Sequence, residues 1–271
     1  MKREFVKGRY ALRRVFPVVF ALSLGLVLLT ACGSGENGAG TDSGSSQEEE
    51  TSSGETYDVA CLGDSITYGV GVDSTEERYT VLMEADEAID SVQNIGFSGS
   101  TVGDTPDESC SYMNRYTFTE RYTEIEEDAD LIFVLGGTND YGTDLGQVPL
   151  GESGDADEST FYGALNVLTS GLQESYPDAQ LLFATPLPRY DKDMTEENNY
   201  GATLEEYRDA ILEVCASEGI ETLDLFTLEG VSPDAEGHED YFADGLHPNA
   251  AGNVLLAETV LAKILEMKEL S

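Results

Sequence analysis

The chain has 271 residues, enough for one large domain or two small ones. It carries 14 Lys and Arg against 53 Asp and Glu, a formal net charge of −39, with 4 Cys and 2 His. So acidic a surface repels nucleic acid and anionic lipid headgroups, which excludes a nucleic-acid partner and argues against a polyanionic substrate; it does not choose among neutral ligands, and solubility alone would explain it.

Met1 to Arg14 holds six bases and a single acid, Glu4, and Val15 to Thr30 is almost wholly apolar. Charge followed by a short greasy run is the order of a secretory signal, and the run is short for a spanning helix. It ends in Leu29-Thr30-Ala31-Cys32, which resembles the lipobox of bacterial lipoproteins. The resemblance implies a signal peptide over residues 1–31, removed by cleavage, and lipidation at Cys32. A simple signal with an incidental Cys, or an uncleaved anchor, are the alternatives, and each of them also exports the domain. Removing residues 1–31 leaves 8 bases against 52 acids, a net of −44. Gly33 to Thr56 contains no large apolar residue. Residues 32–56 are therefore expected to be a flexible tether with a reach of about 27 Å, hanging residues 57–271 from the extracellular face of a membrane.

From Tyr57 onward short apolar runs alternate with longer mixed stretches. Asp58 to Leu62 predicts a strand, Arg78 to Ala88 a helix, Ser91 to Gly96 a second strand and Tyr112 to Asp128 a helix. Leu131 to Leu135 is continuously apolar, as a strand covered on both faces requires. Gly142 to Ser159 reads as a loop, Phe161 to Tyr176 as a helix closed by Pro177, and Leu181 to Ala184 as a fourth strand. Thr203 to Glu218 has helical spacing, Ile220 to Phe226 is a fifth strand, and Asn249 to Met267 closes the chain as a helix. Alternation of this kind predicts one α/β domain, a parallel sheet between two layers of helices. Cys61 and Cys215 fall in apolar patterns, and the spacing of Cys61, Cys110 and Cys215 signals neither a disulfide framework nor a zinc site.

In such sheets functional groups gather beyond the carboxyl ends of the strands. There stand Gly63-Asp64-Ser65, Gly96-Phe97-Ser98-Gly99, Gly136-Gly137-Thr138-Asn139-Asp140 and, past the fifth strand, Asp244-Gly245-Leu246-His247. These are the parts of acyl transfer. A Ser hydroxyl needs a base, His is the usual one, and a carboxylate on its other nitrogen fixes the tautomer. Glycine-turn amides and an Asn side chain suit an oxyanion.

Taken in order, Gly63-Asp64-Ser65, Gly99, Gly137-Thr138-Asn139-Asp140 and Asp244-xx-His247 resemble the four blocks of the SGNH hydrolases, also called GDSL esterases. The first block reads Gly-Asp-Ser-Ile rather than Gly-Asp-Ser-Leu. The resemblance implies a five-stranded, flavodoxin-like three-layer α/β/α sandwich and a serine esterase working without cofactor or metal. It makes Ser65 the nucleophile, His247 the base and Asp244 its orienting partner, with Ser65 N–H, Gly99 N–H and the Asn139 side chain as the oxyanion hole. Gly96 competes with Gly99 for that role.

Each residue also has a plainer reading. Ser65 serves as well for a helix cap, Asp64 and Asp140 as turn formers, and Asp244 and His247 as a polar turn ahead of a helix. His238 has no partner at triad spacing and reads as an exposed loop residue. Tyr68, Tyr141, Pro186, Leu187, Pro188 and Tyr190 follow strand ends and either line a pocket or decorate surface loops. The expected substrate is an ester of a small molecule or carbohydrate bearing a short acyl group. A lipase, lysophospholipase, thioesterase or acyltransferase of the same family is the alternative, as is a surface binding protein that has lost the reaction.

Overall fold

A computed structural model describes residues 56–142, 147–193 and 195–270. The signal, Cys32 and nearly all of the expected tether lie outside the described residues. Its strands are β1 (Tyr57–Gly63), β2 (Ile89–Gly96), β3 (Leu131–Leu135), β4 (Gln180–Ala184) and β5 (Glu221–Leu223). Its α-helices are α1 (Ser65–Tyr68), α2 (Tyr79–Glu84), α3 (Phe118–Arg121), α4 (Thr138–Tyr141), α5 (Phe161–Ser175), α6 (Leu204–Glu218) and α7 (Ala250–Leu270).

The five strands form one parallel sheet in the order β2-β1-β3-β4-β5. That is the flavodoxin-like order, with its switch point between β1 and β3. Alternation along the strands builds two cores. Ala60, Leu62, Ile132, Val134 and Phe183 pack against α5 and α6 on one face. Val59, Cys61, Leu131, Phe133 and Leu182 pack against α2 and α7 on the other. The sheet is therefore the middle of three layers, as expected, with β3 and the carboxyl-terminal parts of β1 and β4 buried on both faces.

Local signals fix the long helices. Thr203 and Glu206 form a capping box at the start of α6, and the Thr160 hydroxyl accepts from Gly163 N–H at the start of α5. Each such cap is worth about 1 kcal/mol. Helix α7 is tied to the other end of the chain by Asn253, whose Oδ1 accepts from Tyr79 N–H at 2.9 Å and whose Nδ2 donates to Pro248 O at 2.9 Å.

Three predicted elements change. The expected helix Tyr112–Asp128 breaks into a 3-10 turn (Ser111–Tyr116), α3 and a second 3-10 turn (Tyr122–Glu124). Thr117 and Ile125 are extended there, and Phe118 N–H is drawn away to Thr101 O at 2.9 Å. The helix expected over Arg78–Ala88 stops at Glu84. The fifth strand ends at Leu223 because Asp224 is claimed by the fork of Arg208, at 3.0 and 2.5 Å, and by the hydroxyls of Thr185 and Thr227. Cys61, Cys110 and Cys215 are all buried and form no disulfide. Burial pushes the Cys61 and Cys215 thiols up to about 12. Among the described residues, no helix is long and apolar enough to cross a membrane.

Candidate active site

The register of the sheet brings the distant motifs together. Gly63 pairs with Gly96 on one side and with Leu135 on the other, so β1, β2 and β3 end level. Two residues past Gly63 is Ser65, three past Gly96 is Gly99, and four past Leu135 is Asn139. All three leave the sheet at the same carboxyl edge, Ser65 and Asn139 on the two sides of the switch point and Gly99 from the neighbouring edge strand.

Ser65 is the first residue of α1 and is buried. The cap is Asp64, whose Oδ1 accepts from Ile66 N–H at 2.9 Å. That division of labour leaves the Ser65 hydroxyl free of the turn, and it meets His247 Nε2 at 2.9 Å. His247 Nδ1 lies 2.8 Å from Asp244 Oδ2. The other oxygen, Asp244 Oδ1, accepts from Leu246 N–H at 3.0 Å and His247 N–H at 2.8 Å. One carboxylate thus shapes the turn and orients the ring. Partial burial raises the Asp244 carboxyl, but the His247 ring and the two backbone donors outweigh it and hold the group below the ordinary range. With Nδ1–H committed to Asp244, Nε2 is the nitrogen left to take a proton from Ser65. The three-residue spacing of Asp244 and His247 thus makes the hydrogen bond that the sequence only permitted.

The two candidate glycines separate cleanly. Gly96 N–H is spent on Asn94 Oδ1 at 2.9 Å, and a Cβ at Gly96 would lie 2.1 Å from Tyr68 N. Gly96 is there to let β2 pass against α1. Gly99 has φ +82°, a conformation that glycine adopts without strain, and its N–H donates to no protein acceptor among the described residues. Asn139, on α4, donates from Nδ2 to Ser100 O at 2.8 Å, which joins the loop after β3 to the loop after β2.

Asp140 is not the turn former the sequence suggested. It is fully buried, with its oxygens 2.9 and 3.0 Å from Val102 N and 3.1 Å from Gly103 N. Position three of the short helix α4 turns it inward, where it accepts from the loop that follows Gly99. Burial pushes its carboxyl up to about 7 against those donors, and Asp64 adds to the rise. Asp64 itself is raised to about 6 by burial, opposed by Ile66 N–H and by the His247 and Arg189 charges. Of the pocket candidates, Tyr141, Pro186, Leu187 and Pro188 are buried, and only Tyr68 stands exposed, at the end of α1. His238 is half-buried rather than exposed: its ring stacks on Tyr190 at 3.5 Å and its Nδ1 is 3.1 Å from Ala235 O.

Sequence reasoning passed over Arg121 and Arg189. Arg189 is buried, grips Asp191 through Nε and Nη2 at 3.0 and 2.6 Å, and donates to Gly142 O at 2.6 Å, pinning the end of α4. The next residue donates Tyr190 N–H to Gly245 O at 2.7 Å, inside the Asp244–His247 turn. A lone base among so many acids gives no hint in the sequence that it is buried. Among the described residues, no group of three or more His, Cys, Asp or Glu side chains could hold a metal ion.

A parallel flavodoxin-like sheet carries a Ser65–His247–Asp244 hydrogen-bond chain beyond its carboxyl edge, the arrangement that the Gly-Asp-Ser blocks led one to expect. Residues 61–255 match the model of the GDSL-like lipase/acylhydrolase family, and the chain belongs to that family of esterase- and lipase-type hydrolases. No curated protein matches it. A crystal structure of a Lactobacillus plantarum protein is similar, with 34% identity over 78% of this chain and 98% of that one, at a TM-score of 0.65. A carbohydrate acetylesterase from Sinorhizobium meliloti shares the fold at 20% identity, 78% and 100% coverage and a TM-score of 0.54. A member of the lipolytic G-D-S-L family from Veillonella parvula does so at 20% identity, 76% and 96% coverage and a TM-score of 0.51.

Proposed function

We propose that the protein is a carboxylic ester hydrolase that works through an acyl-enzyme on Ser65. The observation that carries this reading is the unbroken chain from Ser65 Oγ to His247 Nε2 at 2.9 Å and from His247 Nδ1 to Asp244 Oδ2 at 2.8 Å. His247 takes the Ser65 proton as Oγ attacks the ester carbonyl. The negative charge on the carbonyl oxygen is met by Ser65 N–H, Gly99 N–H and the second N–H of Asn139 Nδ2. Collapse of the tetrahedral adduct expels the alcohol, which leaves with the proton held by His247. Water then attacks the acyl-Ser65 with His247 again as base, releasing the acid and restoring Ser65.

Short acyl groups on carbohydrate are the substrate class we favour. Tyr68, half exposed at the end of the Ser65 helix, offers an aromatic face beside the nucleophile, and a solved protein of the same fold is a carbohydrate acetylesterase. We place the enzyme outside the cell, tethered through Cys32, on the strength of its N-terminal sequence.

Ser65→Ala removes hydrolysis of a simple acetyl ester and labelling by a fluorophosphonate; labelling that persists in this variant overturns the nucleophile. A series of aryl esters of rising acyl length peaks at acetyl to butyryl, and a peak at long chains instead selects a lipid-acting enzyme. Metabolic palmitate labelling that survives Cys32→Ala removes the tether.

A further inference from the structure

Arg121 lies behind the loops that carry the oxyanion donors. It is 4% exposed, on the four-residue helix α3, in a domain whose formal charge is strongly negative. Its ionic contact is weak: Glu124, itself more than half exposed, sits 3.7 Å from Nε. The strong contacts are to neutral oxygens. Nη2 donates to Ile95 O at 2.5 Å, and Nη1 lies 3.4 Å from both Gly63 O and Ser100 Oγ. The Phe97 ring covers the guanidinium at 5.4 Å and is stacked in turn on Tyr116 at 4.3 Å.

These acceptors are not scattered. Gly63 is two residues before Ser65, Ile95 is the penultimate residue of β2 ahead of the Gly99 loop, and Ser100 follows Gly99. Ser100 is the hub: its hydroxyl donates to Tyr116 O, its N–H to Phe97 O, and its carbonyl holds Asn139 Nδ2. Each of the three oxyanion donors is therefore one or two links from the same guanidinium. Burying a guanidinium without a close carboxylate is costly, and such a group is retained where its fork organises several acceptors at once.

We propose that Arg121 is the positioning residue of the oxyanion site, a buried fork that sets the relative placement of Ser65, Gly99 and Asn139 by binding the ends of β1 and β2 and the loop between Gly99 and α3. The inference rests on Ser65 being the nucleophile. Oxyanion donors act only when placed to a few tenths of an ångström, and misplacement by about 1 Å can cost on the order of 100-fold in rate. Lysine does not substitute, since a single ammonium cannot span three acceptors in the plane of a fork.

The test uses Arg121→Met and Arg121→Lys, with Ser100→Ala as a milder variant that removes one link without opening the buried site. Three readouts are taken: kcat and KM on an acetyl ester, the rate of fluorophosphonate labelling, and affinity for a boronic acid, which forms a charged tetrahedral adduct on the serine. Arg121→Met and Arg121→Lys should each lose roughly 50-fold or more in kcat with KM within about twofold, and lose boronate affinity in parallel. Ser100→Ala should lose roughly 3- to 10-fold in the same pattern. Millimolar guanidinium should restore part of the loss in Arg121→Met and none in Ser100→Ala. A folded variant at Arg121 with unchanged kcat, or one whose kcat falls while boronate affinity stays constant, overturns the proposal. If both Arg121 variants fail to fold, an unchanged kcat and boronate affinity in Ser100→Ala overturns it. Labelling of the wild type at Ser65 separates the two readings: without it the nucleophile is wrong, whereas equal labelling of wild type and Arg121→Met sinks the role of Arg121 alone.

Discussion

Asn139 donates its side-chain N–H to the carbonyl of Ser100 at 2.8 Å, so the residue that would meet the oxyanion also clamps the loop that supplies another donor. One N–H of the amide is structural and the second is free for chemistry. Asn139→Ala should therefore lower kcat on an acetyl ester by roughly 100- to 1000-fold with KM changed only a few-fold. Loss of the loop clamp should also cost about 1 kcal/mol in urea unfolding. A variant that loses stability but keeps kcat would show that Asn139 only holds the loop.

Gly96 and Gly99 sit three residues apart and should fail differently. A Cβ at Gly96 meets backbone of Tyr68 at 2.1 Å, so Gly96→Ala should destabilise the whole domain by roughly 2–4 kcal/mol, read from thermal or urea unfolding. Gly99→Ala strains its own φ of +82°, at about 1–2 kcal/mol, and should leave a folded protein with a depressed kcat. The reverse pattern, an active Gly99→Ala and a stable but inactive Gly96→Ala, would return the oxyanion amide to Gly96.

Asp244→Asn keeps an oxygen for the Leu246 and His247 N–H groups but presents an amide to the imidazole. The ring then carries its proton on the wrong nitrogen and cannot accept from Ser65. With a buried carboxylate this exchange costs on the order of 10⁴ in kcat. The Asp244 side chain is 54% exposed, so water shares its role, and a smaller loss of roughly 100- to 1000-fold is expected. Steady-state kinetics on the folded variant decides it, and a loss under tenfold would remove Asp244 from the chemistry.

Asp140 links stability to pH. Its carboxyl is raised by burial from 3.8 to about 7, so folding takes up a proton between those values. The stability it contributes is complete below pH about 4 and is lost as pH rises through 7, a change of roughly 3–5 kcal/mol at about 1.4 kcal/mol per unit. Asp140→Asn can still accept from Val102 and Gly103 through one oxygen and does not titrate. Urea unfolding at pH 4.5 and pH 8 should show the variant gaining on the wild type at the higher pH. A difference that stays constant across that range would mean the carboxyl titrates normally.

How far the sequence could be read follows from what each element depends on. The three central strands were legible because the apolar runs of β1, β3 and β4 report burial on both faces directly, and the four motifs because each followed a strand end or closed a turn. The broken helix of residues 111–124 was not, because its interruption comes from Thr117 and from Phe118 N–H bonding to distant Thr101, neither of which has a local signature. Asp140 reads in sequence like any turn Asp, and only the placement of Val102 and Gly103 against α4 makes it a buried anchor. Arg121 stayed hidden because its fork binds backbone carbonyls and leaves no close carboxylate partner to find, and Arg189 because its pairing with Asp191 two residues on looks in sequence like any surface pair.

The hydrogen bond between Ser65 and His247 spans 182 positions, and the turn that bears His247 is held by Asn253 of α7 against Tyr79 of α2. A chain still being synthesised has its serine in place, on the first βα unit, long before it has a base. The hydrolysis proposed for Ser65 therefore waits on the turn at His247 and on the docking of α7 against α2, so the reaction would report the assembly of both ends of the sheet's helical layer.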